Sequence, residues 1–509
     1  MRGTGAGVEV PRRDLAGAAA LVLLGVLAAE LALRVGFPCD LLSWPESVFL
    51  TAMARLQAGL GLFGEPSDVN SWVRGPALEY LAFGLLRPLG LALDVRAGRA
   101  LAIGLQTLGV AAVVHAAIPR DAPRGVRATT FAVGMLAAFS AATADAPYEP
   151  ALLIAFAGLV TLGCTVAVRD GRTDVGLATT AFAGLGVLVM QEATLAAAGA
   201  WLALVLGRRV RWPVAVAALA LGAATTAGAI ALLHEDPWTA FWLFELPSGA
   251  DRLQRAATTL GWFVGPGILV AACAAPACLA WLARRDPPGR AFAVAWAGVG
   301  ACVVLPLLLP WVPSNTDEGA ARVVALWLVV PVWVACALPG AAPAAWGWDA
   351  AVRACVRGAL LLLLFPSLLP PAPPTDAACD ALTAALRADL AAGRHVVVAH
   401  GVAPLVQAGV VPIFLDVPAE ALDRGGAGRY LARMRAELDG TVFDRAYQLL
   451  GVSLVRALAV GKGFRRIVTI RARPAVLGEE VFGAELTGGF DDPPAPVVRR
   501  RIEIMERNP

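Results

Sequence analysis

Long apolar runs, broken by short polar segments, fill the chain up to about residue 370. A bilayer core needs about 20 apolar residues per helix. The pattern predicts about eleven spans. These are Leu15–Gly36, Gly98–Ile118, Val126–Ala144, Pro150–Val168, Val175–Met190, Ala193–Leu206, Pro213–Leu233, Leu260–Ala283, Ala291–Pro310, Val323–Leu338 and Gly358–Leu369. Leu15–Gly36 follows a basic stretch. Its length, and the lack of a small-residue cleavage site before Asp40, favour a retained anchor over a cleaved signal.

Arg placement orients the bundle. Arg2, Arg12 and Arg13 precede the first span, so residues 1–14 are expected in the cytoplasm. The alternate loops repeat the signal with Arg120, Arg124 and Arg127, Arg169 and Arg172, Arg208, Arg209 and Arg211, Arg284, Arg285 and Arg290, then Arg353 and Arg357. The opposite short loops, around Ala146–Glu149, Gln191–Glu192 and Ser314–Gly319, contain no Arg. With an odd number of spans, the N-terminus is inside and the tail outside.

Two regions break the membrane pattern. Residues 37–96 form a long outer loop carrying Asp40, Glu46, Glu65, Asp68, Arg74 and Glu79 among apolar residues. Within it, Trp44-Pro45-Glu46 and Pro76-Ala77-Leu78-Glu79 read as starts of short helices with Pro in the first turn. Leu78–Leu91 is apolar enough to lie in the membrane interface, and Arg87-Pro88 argues against a full crossing. After a Pro-rich joint at Pro366–Pro374, residues 371–509 lose the long apolar runs. Asp376–Ala392 predicts an amphipathic helix, His395–Ala399 and Val410–Leu415 strands, Tyr430–Leu438 a helix, and Ile467–Arg471 and Val497–Met505 further strands. The expected fold is an all-α polytopic membrane bundle at 15–370 with a small extracytoplasmic α/β domain at 371–509.

Composition narrows the function classes. Of 509 residues, 58% are hydrophobic and 16% charged, and mean hydropathy is +0.67. That leaves too little polar surface to cover a water-facing protein of this size, which excludes a soluble enzyme or a disordered regulator. The net charge of +3 rests almost wholly on Arg, with Lys462 as the lone Lys. No basic-aromatic run marks a nucleic-acid surface. The eight cysteines show no metal-ligand spacing. Six lie in or beside apolar segments, whereas Cys39 and Cys379 lie outside them and are compatible with a disulfide in an oxidising compartment.

Ionisable groups at or just outside membrane depth are costly, so their placement points to function. Asp40 and Glu46 follow the first span, Asp145 and Glu149 join spans three and four, and Asp317 and Glu318 join spans nine and ten. Carboxylates converging on one face suit general-base activation of an acceptor hydroxyl, or a divalent cation held against a phosphate leaving group. Short outer loops also need polar residues, and acidic ones fit where Arg is excluded. That plainer account suits Asp317 and Glu318 best. Asp40 stands apart, because it ends a span in an apolar context.

The order of these landmarks resembles the GT-C superfamily of membrane glycosyltransferases. The carrying residues are Asp40 with Glu46 after span one, then Ala54-Arg55-Leu56-Gln57-Ala58-Gly59 before Leu62-Phe63. Pro76-Ala77-Leu78-Glu79-Tyr80-Leu81 through Leu89-Gly90 follows, then Ala97-Gly98-Arg99-Ala100 opening span two and Glu149-Pro150-Ala151-Leu152 opening span four. The likeness covers about the first 210 residues. It departs from the family in that a Leu-Leu-Ser-Trp-Pro stretch separates Asp40 from Glu46, leaving either as the base, and in that Glu149 or Asp145 stands for the second Asp.

The resemblance implies a polyprenyl-phosphate sugar donor, a lipid, glycan or protein acceptor, and a place in the plasma membrane. Asp40 or Glu46 would be the base, Asp145 and Glu149 a second acidic cluster for metal or acceptor, and Arg74 and Arg322 partners of the donor phosphate. Asp40, Glu46 and Asp145 or Glu149 are then expected to line one outward cavity. The other classes are a transporter or flippase and a non-catalytic scaffold. Repeated halves with broken helices, the usual pointer to a transporter, are not evident in the sequence.

Overall fold

The computed structural model describes residues 14–40, 44–62, 77–91, 93–140, 148–189, 193–207, 211–232, 266–308, 319–338, 350–364, 376–394, 396–398, 401–412, 445–449, 464–474, 480–485 and 501–507. Helix dominates them. In chain order the helices are α1 Leu15–Gly36, α2 Trp44–Gln57, α3 Ala77–Leu86, α4 Val95–Ala117, α5 Arg124–Ser140, α6 Tyr148–Asp170 and α7 Thr173–Gly184, which runs into a 3-10 turn at Leu185–Leu188. Then come α8 Thr194–Leu206, α9 Trp212–Leu232, α10 Pro266–Arg285, α11 Pro287–Leu308, α12 Gly319–Ala337, α13 Ala350–Leu364, α14 Asp376–Ala391 and α15 Ala403–Gln407.

A helix lies in each of the eleven apolar stretches. The largest displacement is at the last, which starts at Ala350 rather than Gly358. Among the described residues, Leu15–Gly36, Val95–Ala117, Ala151–Asp170 and Trp212–Ala229 are long and apolar enough to cross a membrane, and several shorter helices are also apolar. By length and composition this is a membrane protein. The α6 helix is central and mostly buried, whereas α1 and α9 lie at the periphery. Peripheral side chains such as Leu21, Val22, Leu33, Trp212 and Val216 are exposed, as suits contact with lipid.

Small residues set the helix crossings, because apolar burial alone gives little drive inside a bilayer. A Cβ at Gly109 of α4 would run into the backbone of Ile154 on α6, and one at Gly158 would meet Gly109. In the same way α8 and α11 meet at Gly199 and Gly298. Helices α11 and α12 are joined by reciprocal bonds. The Trp296 Nε1–H donates to the Trp327 carbonyl at 3.2 Å, and the Trp327 Nε1–H donates to the Trp296 carbonyl at 2.9 Å.

One end of the bundle gathers charged contacts. Asp14 caps α1, accepting the Gly17 N–H at 3.0 Å, and receives Arg357 Nη2 of α13 at 2.9 Å. Arg120 Nη2 pairs with Asp170 at 2.9 Å, Arg169 donates to the Ala116 carbonyl, and Arg290 donates to the Leu206 carbonyl. The start of α1, the middle of α13, and the ends of α4 and α6 therefore carry these polar contacts.

A second core lies at the opposite end of α1. Phe37, Phe49, Met53, Leu78 and Ala82, from the first loop with its helices α2 and α3, pack with Leu382 and Leu386 of α14 and with Val402 and Leu405 around α15. Helices α2 and α3 run out at the two landmark glycines, Gly59 and Gly90, both at positive φ.

Strands β1 Val396–Val398, β2 Arg445–Leu449, β3 Phe464–Pro474, β4 Glu480–Glu485 and β5 Arg501–Arg507 have the spatial order β1-β2-β5-β3-β4. The β1–β2 pair is parallel and the others antiparallel. Strands β2 and β4 were not signalled by the apolar pattern. The strand expected at Val410–Leu415 is absent over Val410–Pro412. There Gly409, at φ 75, closes α15, and the Val410 N–H turns back to the Leu405 carbonyl at 2.9 Å. The amide is thus spent on the helix end. The helix expected at Tyr430–Leu438 lies outside the described residues.

Candidate functional site

Where α1 ends, its last carbonyls lose their helical partners. Arg99, one turn into α4, takes them over. Its Nη1 donates to the carbonyls of Arg34 (2.9 Å) and Phe37 (2.5 Å), and its Nη2 to that of Cys39 (2.5 Å). The same guanidinium grips Glu46 with two bonds, Nε to Oε1 at 2.6 Å and Nη2 to Oε2 at 2.7 Å. A guanidinium has five N–H donors, and all five are engaged. It also stacks over the Phe37 ring, 5.6 Å from the centroid. Arg99 is 1% exposed and Glu46 is 0% exposed, so the pair neutralises itself away from water.

Asp40 is also 0% exposed, but its partners are of another kind. The Ser47 hydroxyl donates to Oδ2 at 2.6 Å, and the backbone N–H of Val402 donates to the same oxygen at 2.7 Å. The Ala403 N–H donates to Oδ1 at 3.1 Å. Ser47 in turn accepts the Gly401 N–H at 3.0 Å. Gly401 stands at φ 83, a left-handed conformation that turns three successive amides toward the first loop and that a side chain would strain. A carboxylate after the first span and a turn of the C-terminal tail therefore satisfy one another.

Cys39, beside Asp40, is disulfide-bonded. Among the described cysteines, Cys164, Cys273, Cys278, Cys302, Cys336 and Cys355 are free thiols. The Cys379 side chain itself lies outside the described residues.

The expected cavity is not open at Asp40 and Glu46. The tail turn closes on Asp40 and the Arg99 guanidinium on Glu46, and neither carboxylate meets solvent. Asp145, Arg74, Asp317 and Glu318 lie outside the described residues, as do the side chains of Glu149 and Arg322. Among the described residues, no group of three or more His, Cys, Asp or Glu is gathered to hold a metal ion.

Three participants escaped sequence reasoning as functional residues: Arg99, Ser47 and the Gly401–Ala403 turn. Arg99 carried a signal, since a guanidinium inside an apolar helix demands a partner. The other two carried none, because a serine and three small residues are common in any loop. Compared with known proteins, the chain matches no family model, no curated protein and no solved structure.

Proposed function

We propose that the chain is a GT-C-type integral-membrane glycosyltransferase that moves a sugar from a polyprenyl-phosphate donor to an extracytoplasmic acceptor, with Asp40 as general base. Eleven spans run N-in to C-out in the plasma membrane, and residues 371–509 form an outer α/β domain. Support for this orientation comes from the Asp14–Arg357 and Arg120–Asp170 pairs, which join Arg-rich segments. The observation that carries the choice of base is the contrast between the two buried carboxylates. Both Glu46 oxygens are held by Arg99, a charge partner from the bundle itself. The partners of Asp40 include a hydroxyl and backbone amides of the tail, donors that an acceptor hydroxyl can replace.

In the reaction, the acceptor oxygen attacks the anomeric carbon as its proton passes to Asp40. The bond from that carbon to the phosphate oxygen breaks, and the polyprenyl phosphate leaves with the electron pair. Arg74 and Arg322 are assigned to the developing phosphate charge. Asp145 and Glu149 are assigned to the acceptor or to a divalent cation.

One observation favours a second reading, a non-catalytic scaffold: Asp40 is wholly covered by the tail. Transfer from polyprenyl-phosphate sugars, measured in sealed vesicles, separates the two. The enzyme reading expects transfer that Asp40→Asn lowers by orders of magnitude. Undiminished transfer in that variant rejects Asp40 as base, and no transfer with any such donor supports the scaffold.

A further inference from the structure

The tail contact lies on the carboxylate that the proposed chemistry needs. Val402, Ala403 and Leu405 are buried against the first-loop core that includes Phe49 and Met53, so the turn is seated by apolar packing as well as by its amides. The partners it uses, Asp40 and Ser47, are separated from it by more than 350 positions in the chain. Cys39, the residue before Asp40, is disulfide-bonded.

We propose that the Gly401–Ala403 turn is a latch, closed in this structure, and that Asp40 reaches an acceptor hydroxyl only when the turn is lifted. The proposal rests on the reading of Asp40 as base. In the closed state the Val402 and Ala403 amides occupy both carboxylate oxygens, and the exposure of Asp40 is nil. Opening exchanges those neutral donors for the acceptor's O–H without moving a charge through the membrane.

Val402→Pro tests the latch directly. Val402 has φ −81, close to the proline value, so its own φ accommodates the ring. The substitution removes the amide donor and puts a ring methylene where its hydrogen stood. Ser47→Ala, which removes the acceptor of the Gly401 amide, is the milder companion should the proline variant fail to fold. Full-length protein in lipid nanodiscs is followed by amide hydrogen exchange over residues 401–403 and by transfer from a polyprenyl-phosphate sugar.

Slow exchange in the wild type, at least tenfold faster exchange in Asp40→Ala, and severalfold greater transfer in either latch variant are the expected results. Exchange at these amides as fast as in an unstructured peptide overturns the latch whatever the transfer rate. Slow wild-type exchange with equal or lower transfer in a folded latch variant also overturns it, while leaving the enzyme reading intact. Absence of transfer from wild type and both latch variants removes the enzyme reading, and the latch with it.

Discussion

Glu46 and Asp40 lie six residues apart, both out of reach of water, yet they are stabilised in opposite ways. Glu46 is answered by a full positive charge from α4, two charge-assisted bonds in a fork geometry, on a guanidinium that also ties down three carbonyls. Asp40 is bound by neutral dipoles that include a side chain seven residues away and two amides from the distant tail. The first arrangement is a fixed joint, since loosening it strands two ions and several backbone groups. The second exchanges one set of neutral donors for another. A buried carboxylate is thus not by itself a sign of structure or of chemistry, and the nature of its partners separates the two roles.

Perturbing the fixed joint has the largest expected effect. Arg99→Met strands the Glu46 charge, and removing one partner of a buried pair costs about 3–5 kcal/mol. Thermal unfolding in detergent is expected to show a severely destabilised protein, with Arg99→Met/Glu46→Leu recovering much of the loss. A single variant as stable as wild type breaks the contrast.

A smaller effect is expected at the exchangeable site. Asp40→Ala leaves two amides and a hydroxyl without their acceptor, each costing up to about 1–3 kcal/mol unless the loosened turn readmits water to it. This cost is confined to the tail, so limited proteolysis is expected to cut the 401–412 segment sooner while the melting of the bundle barely moves. Equal loss throughout the molecule makes Asp40 a joint like Glu46.

The smallest effect is expected where a pair faces water. The hydrogen bond from Arg172 holds the Asp174 carboxyl below the usual range, and both groups are exposed. With its folded value depressed, the pair contributes only above the carboxyl's unfolded value, and loses that contribution as pH falls through the lower folded one. Arg172→Ala is expected to leave the melting temperature unchanged at pH 7. A clear drop sets the surface pair on the same footing as the buried ones.

The helical part was legible because long apolar runs have few other solutions in a bilayer. The starts of α2 and α3 were legible as well, from Pro in a first turn. The Val410 strand misled, because two adjacent valines look extended until Gly409 turns their amides into a helix end. Of the site, Asp40 and Glu46 stood out through their charge at a span end, whereas the identity of their partners did not. Arg99 is 53 positions from Glu46, and Val402 is 362 from Asp40. Hydrogen bonds to backbone amides leave no residue-type signature, so the pairing of Asp40 with the tail is invisible to any pattern in the chain.

That last separation bears on how the molecule is made. The first loop emerges early in synthesis, but the amides that complete Asp40 arrive only after every apolar helix has been delivered to the membrane. Until then the carboxylate must be served by water or by the insertion machinery. A chain stopped before residue 401 therefore carries a full complement of apolar helices and an unfinished first loop, a state that quality-control proteases are well placed to recognise.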